Sequence, residues 1–158
     1  MEVKFILLFI LVLLFLGAWI FSNSNFAKKL VMSEKLFQVT NIVLLVCSSA
    51  GLILTIIWGD EILTSHLFEI LLLPALVAFV LTGLSHKTKT VDEKFDEKQQ
   101  SNMKDAASFS WMIVIFATFI IYAIYNAGNF TGLIFFPLLI YTAFTAYSGS
   151  LLYFYKNG

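Results

Sequence analysis

Arginine is absent from this 158-residue chain: all ten basic residues are lysine, and ten acidic residues bring the formal net charge to zero. Arginine supplies the planar fork that grips phosphate and base edges with paired hydrogen bonds. Its absence, with no excess positive charge, argues against a nucleic-acid partner. Cysteine is almost absent. Cys47 stands alone in an apolar block, which excludes an intramolecular disulfide and a Cys-based zinc site and leaves a small buried hydrophobe. Charge is scarce at 13%, against roughly 25% in soluble chains. Catalytic signatures are missing as well: there is no G-x-S-x-G, Walker A, H-E-x-x-H or C-x-x-C. The long apolar blocks contain no aspartate for a paired-aspartate protease, and their serines have no evident base. Nothing calls for a catalytic residue, a metal or a cofactor, so the expectation is a protein that is not an enzyme.

What is present is hydrophobic sequence: 59% of residues, with a mean hydropathy of +0.88. It falls into five blocks, each long enough to cross about 30 Å of hydrocarbon. They cover residues 3–21, 39–58, 62–84, 106–125 and 130–155. Lys4 ahead of the first block also suits a signal peptide, although FLGAWIF offers no A-x-A-like cleavage site. Too little polar sequence remains for a separate soluble domain, so residues 1–158 read as one all-α membrane domain of five transmembrane helices, one helix followed by two hairpins.

The polar stretch 85–105 fixes the expected orientation. It holds Lys87, Lys89, Lys94, Lys98 and Lys104, the first connection holds Lys28, Lys29 and Lys35, and the C-terminus holds Lys156. The tight turns Gly59-Asp60-Glu61 and Asn126-Ala127-Gly128-Asn129 hold none. Placing the lysine-bearing connections in the cytoplasm leaves only Lys4 outside, so the positive-inside rule gives N-out and C-in. Trp58, Tyr122 and Tyr125 then fall at one interface, with Trp19, Trp111, Tyr153 and Tyr155 near the other.

Within the polar stretch, Thr90-Val91-Asp92-Glu93 matches a capping box, predicting a helix from about Val91 that runs into the fourth block. Asp92, Glu93, Phe95, Asp96 and Glu97 are candidates for docking a cytoplasmic partner. A solvated charge run that merely holds the loop inside is the alternative. An offset of 63 lays Glu34-Lys35 on Glu97-Lys98, Pro74 on Pro137 and Thr82 on Thr145, so the two hairpins resemble parallel repeats about an axis along the membrane normal.

Two constellations carry candidate function. Asp60, Glu61, His66 and Glu69 cluster at the start of the third block. There His66 and Glu69, three apart, would share a helix face, with Glu69 about seven residues into the span and roughly 10 Å deep. An intramembrane acid is costly, which suggests a proton- or cation-coupling carboxylate with His66 as partner and Asp60 and Glu61 as a funnel. A later helix start, with Glu69 in a wet vestibule, is the structural alternative. In the fifth block Thr142, Ala146 and Ser150, and likewise Thr145 and Gly149, recur every four residues, the spacing at which small residues let helices approach closely. They could meet the chain's own helices, a second copy or another membrane protein.

The run Asp92-Glu93-Lys94-Phe95-Asp96-Glu97-Lys98-Gln99, just ahead of a membrane hairpin, resembles a D-E-R-Q-like juxtamembrane signature of small uncharacterised Gram-positive membrane proteins. Here lysine stands for arginine and D-E-K occurs twice. The resemblance implies a multi-pass protein of the bacterial cytoplasmic membrane in an immunity or accessory role, and it brings no catalytic residues. The expectation is therefore a non-enzymatic protein surrounded by lipid bilayer that acts through helix packing and its cytoplasmic loop on another membrane protein or its own copies. The alternative is a small oligomeric transporter or channel using Glu69 and His66.

Overall fold

The computed structural model describes residues 34–88, 97–128 and 133–157, with positions 9, 10, 12, 13, 16, 17 and 20 of the first block, which are helical and exposed. The elements are α1 (Glu34–Trp58), a short α2 (Glu61–Thr64), α3 (Leu67–Thr88), α4 (Glu97–Asn126) and α5 (Phe135–Asn157). Three helices are long and apolar enough to cross a bilayer: Lys35–Trp58, Ser101–Asn126 and Phe135–Lys156. In α3 the apolar stretch is shorter, Leu67–Gly83. The described chain is all-helical, and its surface carries large apolar side chains such as Trp111, Phe116, Phe119 and Ile57 over most of its area. Such a surface belongs in lipid.

Glycine sets both tight turns. Gly59 takes φ 57° and donates its N–H to the Thr55 carbonyl at 3.1 Å, closing α1. Gly128 takes φ 75° just beyond α4, where Ala127 N–H reaches the Ala123 carbonyl at 3.0 Å. A left-handed residue after the last turn is the usual helix stop, and glycine adopts it without steric cost.

Other boundaries differ from expectation. Helix α1 begins before residue 39, because the amphipathic start Glu34-Lys35-Leu36-Phe37 continues the helix beyond the purely apolar core. As expected, the helix of the polar stretch, present by Glu97, runs unbroken into the fourth apolar block as α4. The expected onset near Val91, with the capping box and Asp92, Glu93, Phe95 and Asp96, lies outside the described residues. The third block is not one helix over 62–84. It breaks at Ser65 and His66, and α3 starts at Leu67 and runs to Thr88.

Packing follows from one face of α1. Buried Phe37, Asn41, Leu44, Ser48, Gly51 and Thr55, with Thr40 buried beside them, are spaced alternately by four and three, the pattern of a helix seam. Their hydroxyls bond back along the helix: Ser48 Oγ donates to the Leu44 carbonyl at 2.6 Å and Thr55 Oγ1 to the Gly51 carbonyl at 2.6 Å. Satisfied in this way, they can be buried without water. Helix α5 lies antiparallel on this seam, Phe37 meeting Tyr155 (ring centroids 5.6 Å) at one end and Gly51 meeting Tyr141 further along. Helix α3 packs on α1 and α4 on α5, while α3 and α5 meet through their side chains, among them Phe68 with Tyr141 and Phe79 with Phe144, rather than by close backbone approach. Asn102 Nδ2 donates to the Phe154 carbonyl at 3.2 Å and ties α4 to α5.

In this arrangement the hairpins are not equivalent. The first hairpin places its first helix, α1, at the centre, whereas the second places its second helix, α5, there. Pro74 sits inside α3 on an exposed face, while Pro137 is buried in the first turn of α5. That first-turn position suits proline because its missing N–H has no intrahelical partner to lose. The aligned sequences thus serve different environments, and a parallel repeat axis does not relate them.

A Cβ on Gly51 would fall inside the Tyr141 ring. Gly51→Ala is expected to cost about 1–3 kcal/mol, the range for overpacking a filled site, and to lower the melting temperature in detergent. Gly83→Ala, where a Cβ meets nothing within 4 Å, leaves it unchanged or raises it through helix propensity.

Candidate functional site

The α1–α3 turn is built from backbone hydrogen bonds, reinforced by two hydroxyls. Asp60 caps α2, and its carbonyl accepts Leu63 N–H at 3.1 Å. The Glu61 carbonyl accepts Ser65 N–H at 2.9 Å and the hydroxyls of Ser65 and Thr64 at 2.7 and 3.0 Å. Ile62, fully buried, anchors the turn in a cluster with Phe68, Leu72, Leu76 and Tyr141.

His66 ends this short helix and starts the next. Its φ is 59°, a left-handed conformation that costs a residue with a Cβ roughly 1–2 kcal/mol. Its carbonyl accepts Ile70 N–H at 3.1 Å, the first turn of α3. His66 therefore does not share a helix face with Glu69, as continuous spacing predicted. The backbone reversal still brings its Nδ1 to 3.8 Å from Glu69 Oε2.

Glu69 lies in the first turn of α3, not seven residues into a span, because the helix starts five positions later than the apolar run suggests. A carboxylate there faces unpaired N–H groups and the positive end of the helix dipole. Its side chain is only 14% exposed, against 47% for His66, and Oε2 is buried without a hydrogen-bond partner. Asp60 and Glu61 are exposed on the turn. Of the four expected residues, the structure pairs two and leaves two on the rim.

The residue that sequence reasoning missed is Tyr141. It is fully buried and donates its hydroxyl to the Phe68 carbonyl at 2.7 Å, one residue before Glu69. The Phe68 ring meets it edge-on at 5.6 Å and meets Phe136 at 6.1 Å. The phenol also lies within electrostatic reach of the Glu69 carboxylate and the Cys47 thiol. The available signal was Gly51, a gap on the α1 seam that a large residue opposite must fill.

The small residues of α5 turn inward. Ala146 and Ser150 are buried, and Thr142, Thr145 and Gly149 are half-buried. A Cβ on Gly149 would stand 3.8 Å from Leu45 of α1. Thr145 Oγ1 is buried without a partner. The stripe is spent largely on the chain's own packing. Among the candidate docking residues, Glu97 begins α4 and the others lie outside the described residues.

Open clefts lie along α4 and α5 among the described residues. One, of about 290 Å³, lies between α4 and α5 beside Thr118, Tyr122 and Leu139. The other, about 280 Å³, has Phe79, Ser110, Trp111, Phe144 and Tyr147 along its walls. Both are apolar grooves on lipid-facing sides, suited to an acyl chain or a helix rather than an ion. Among the described residues no three His, Cys, Asp or Glu side chains converge as a metal site requires. No protein-family model matches the chain, and no curated protein or solved structure matches it.

If the backbone at position 66 governs the turn, His66→Gly keeps the melting temperature while His66→Val lowers stability by about 1–2 kcal/mol. Equal losses in both variants would show instead that the imidazole's approach to Glu69 holds the turn.

Proposed function

We propose that this chain is a five-span, non-enzymatic protein of the bacterial cytoplasmic membrane, N-terminus out and C-terminus in, acting as an accessory or immunity-type subunit beside another membrane protein. The observation that carries this reading is the exposure of α4. Only 6% of its apolar window is buried, against 33% in α1 and 39% in α5. Its outward face presents Trp111, Met112, Ile115, Phe116 and Phe119, and aromatic residues and methionine are enriched where proteins meet. The same helix reaches Glu97 in the D-E-K loop, so a partner held by α4 would meet that docking candidate, with Asp92, Glu93, Phe95 and Asp96 just ahead of it in the sequence. The bacterial setting rests on the juxtamembrane resemblance, and the orientation on the lysine distribution.

The second reading, a small oligomeric transporter or channel, is favoured by one observation: the buried, unpartnered Glu69 oxygen. No lysine lies between Lys35 and Lys87 to neutralise it. In that reading a second copy would complete the path.

Purification from native membranes in mild detergent, with mass determination, separates the two. A stoichiometric second protein, lost on Phe116→Ala with Phe119→Ala, is expected. A homo-oligomer would favour transport, and a lone monomer would sink both. Orientation is read separately in a Cys47→Ser background. A membrane-impermeant thiol reagent applied to intact cells should label Ala127→Cys and spare Lys104→Cys, and the opposite pattern overturns N-out.

A further inference from the structure

Helices α3 and α4 pack on different partners, α1 and α5, and between them the surface of α5 forms the floor of a groove. Its volume is about 280 Å³, with Phe79 of α3 on one side, Ala107, Trp111 and Val114 of α4 on the other, and Phe144 and Tyr147 beneath. The Phe79 ring lies 5.2 Å from that of Phe144 and 5.6 Å from that of Tyr147. Ser110 on the α4 wall donates its hydroxyl to the Ala107 carbonyl at 2.8 Å, which leaves that wall apolar. From Ala107 to Val114 the groove follows α4 for about two turns, roughly 10 Å, in the direction a lipid tail takes in a bilayer.

Charge stands at the loop end of this groove. Lys104 lies three residues before Ala107 and seven before Trp111, so it shares their side of α4, near the start of the apolar stretch Ser101–Asn126. It is exposed and makes no ion pair among the described residues. Side chains on a helix lean toward its N-terminus, which for α4 is the loop end. The Lys104 stem therefore leads from the groove toward the headgroup layer. Trp111, exposed on the rim, is a residue type enriched at that boundary. Asp105 falls on another face of α4, with exposed Phe109 and Met112. Lys35 of α1 and Lys156 of α5 are exposed at the same end, so among the described side chains there Asp105 stands against three lysines.

We propose that the groove binds an anionic glycerophospholipid, with one acyl chain on the floor of α5 between α3 and α4 and the phosphate held by Lys104. The apolar walls alone would accept a chain or a helix. The unpaired lysine at the mouth selects the occupant that carries a tail and a negative head in one molecule. A zwitterionic lipid has the same tail, but its own ammonium already balances its phosphate. The site lies on the α3 side of α4 and leaves Phe116 and Phe119 to a protein partner, so it stands whether or not α4 has one. The leaflet it opens to follows from the lysine distribution, and the binding does not depend on it.

The full chain, purified in mild detergent, is incubated with phosphatidylglycerol or phosphatidylcholine of identical acyl chains, and retained lipid is counted by native mass spectrometry. Phosphatidylglycerol is expected to be retained about fivefold over phosphatidylcholine, the effect of one lysine beside an anionic headgroup. Lys104→Gln removes the preference at an unchanged melting temperature, whereas Lys156→Gln keeps it. A phosphatidylglycerol with a diazirine on its acyl chain places its adducts on peptides covering 107–114 and 143–147. Equal retention of the two lipids overturns the proposal, and so does an equal loss in both lysine variants, the mark of a general response to charge. Absence of adducts from both segments overturns it as well, the result that a groove filled by a second copy or another protein would give.

Discussion

The packing of Tyr141 into the space left by Gly51 is the contact on which the bundle depends. In water a buried tyrosine would be held by the hydrophobic effect, but in a bilayer the lipid tails are as apolar as the ring, and burial in itself gains little. What remains is the number of atoms at van der Waals distance, each pair worth only about 0.1–0.2 kcal/mol, and the hydroxyl's hydrogen bond. Interhelical hydrogen bonds in membranes average about 0.6 kcal/mol, with a ceiling near 1.7. One side chain of α5 thus draws α1 against its ring and α3 through the Phe68 carbonyl. Three helices share one fastening, and α3 and α5 meet there through long side chains without close backbone approach.

The same fastening determines where the acidic site falls. By holding Phe68, Tyr141 fixes the first turn of α3, and Ile62 in the same cluster fixes the short helix before it. Four residues from Leu63 to His66 must then join two anchored points, and the chain does so with a left-handed residue. Glu69 is placed by this constraint beneath the turn, near water but turned from it. Its position is a consequence of packing one residue away, so a change at Tyr141 would reach the carboxylate through the backbone of Phe68.

How much of this was legible in the sequence follows from what each signal measures. Hydropathy reads whether a stretch can lie in lipid, and three of the blocks are helices long and apolar enough to cross a bilayer. Glycine in polar company reads a turn, and Gly59 and Gly128 marked both. Hydropathy does not read a helix break inside an apolar run, and the residue that makes the break is histidine rather than glycine, so the third block looked continuous and Glu69 looked deep. The offset of 63 was a true likeness of residues, but it could not register that Pro74 faces outward and Pro137 inward. The spacing of Thr142, Ala146 and Ser150 could not say whose helix approaches. The partner of Gly51 could not be found from α1 alone, because complementarity is a property of two helices in register.

That register also explains the uneven exposure of the helices. Helix α1 spends its small residues, Ser48, Gly51 and Thr55, on one seam, and α5 fills it with its largest buried side chain. Helix α4 offers no comparable gap: along Ser101–Asn126 its buried small residues, Ala106 and Ser110, lie at the loop end, and towards the turn end the exposed face is Phe116, Phe119 and Tyr122. It is fastened where Asn102 donates to the Phe154 carbonyl and where Phe109 meets the Phe154 ring edge-on at 6.3 Å. Beyond that point a cleft opens between α4 and α5. A helix tied at one end and loosely seated at the other presents its far half to whatever shares the membrane with it. Where lipid and protein are equally apolar, only a surface with matching shape can displace lipid from that half, so the partner would be selected by fit around the aromatic rings rather than by greasiness.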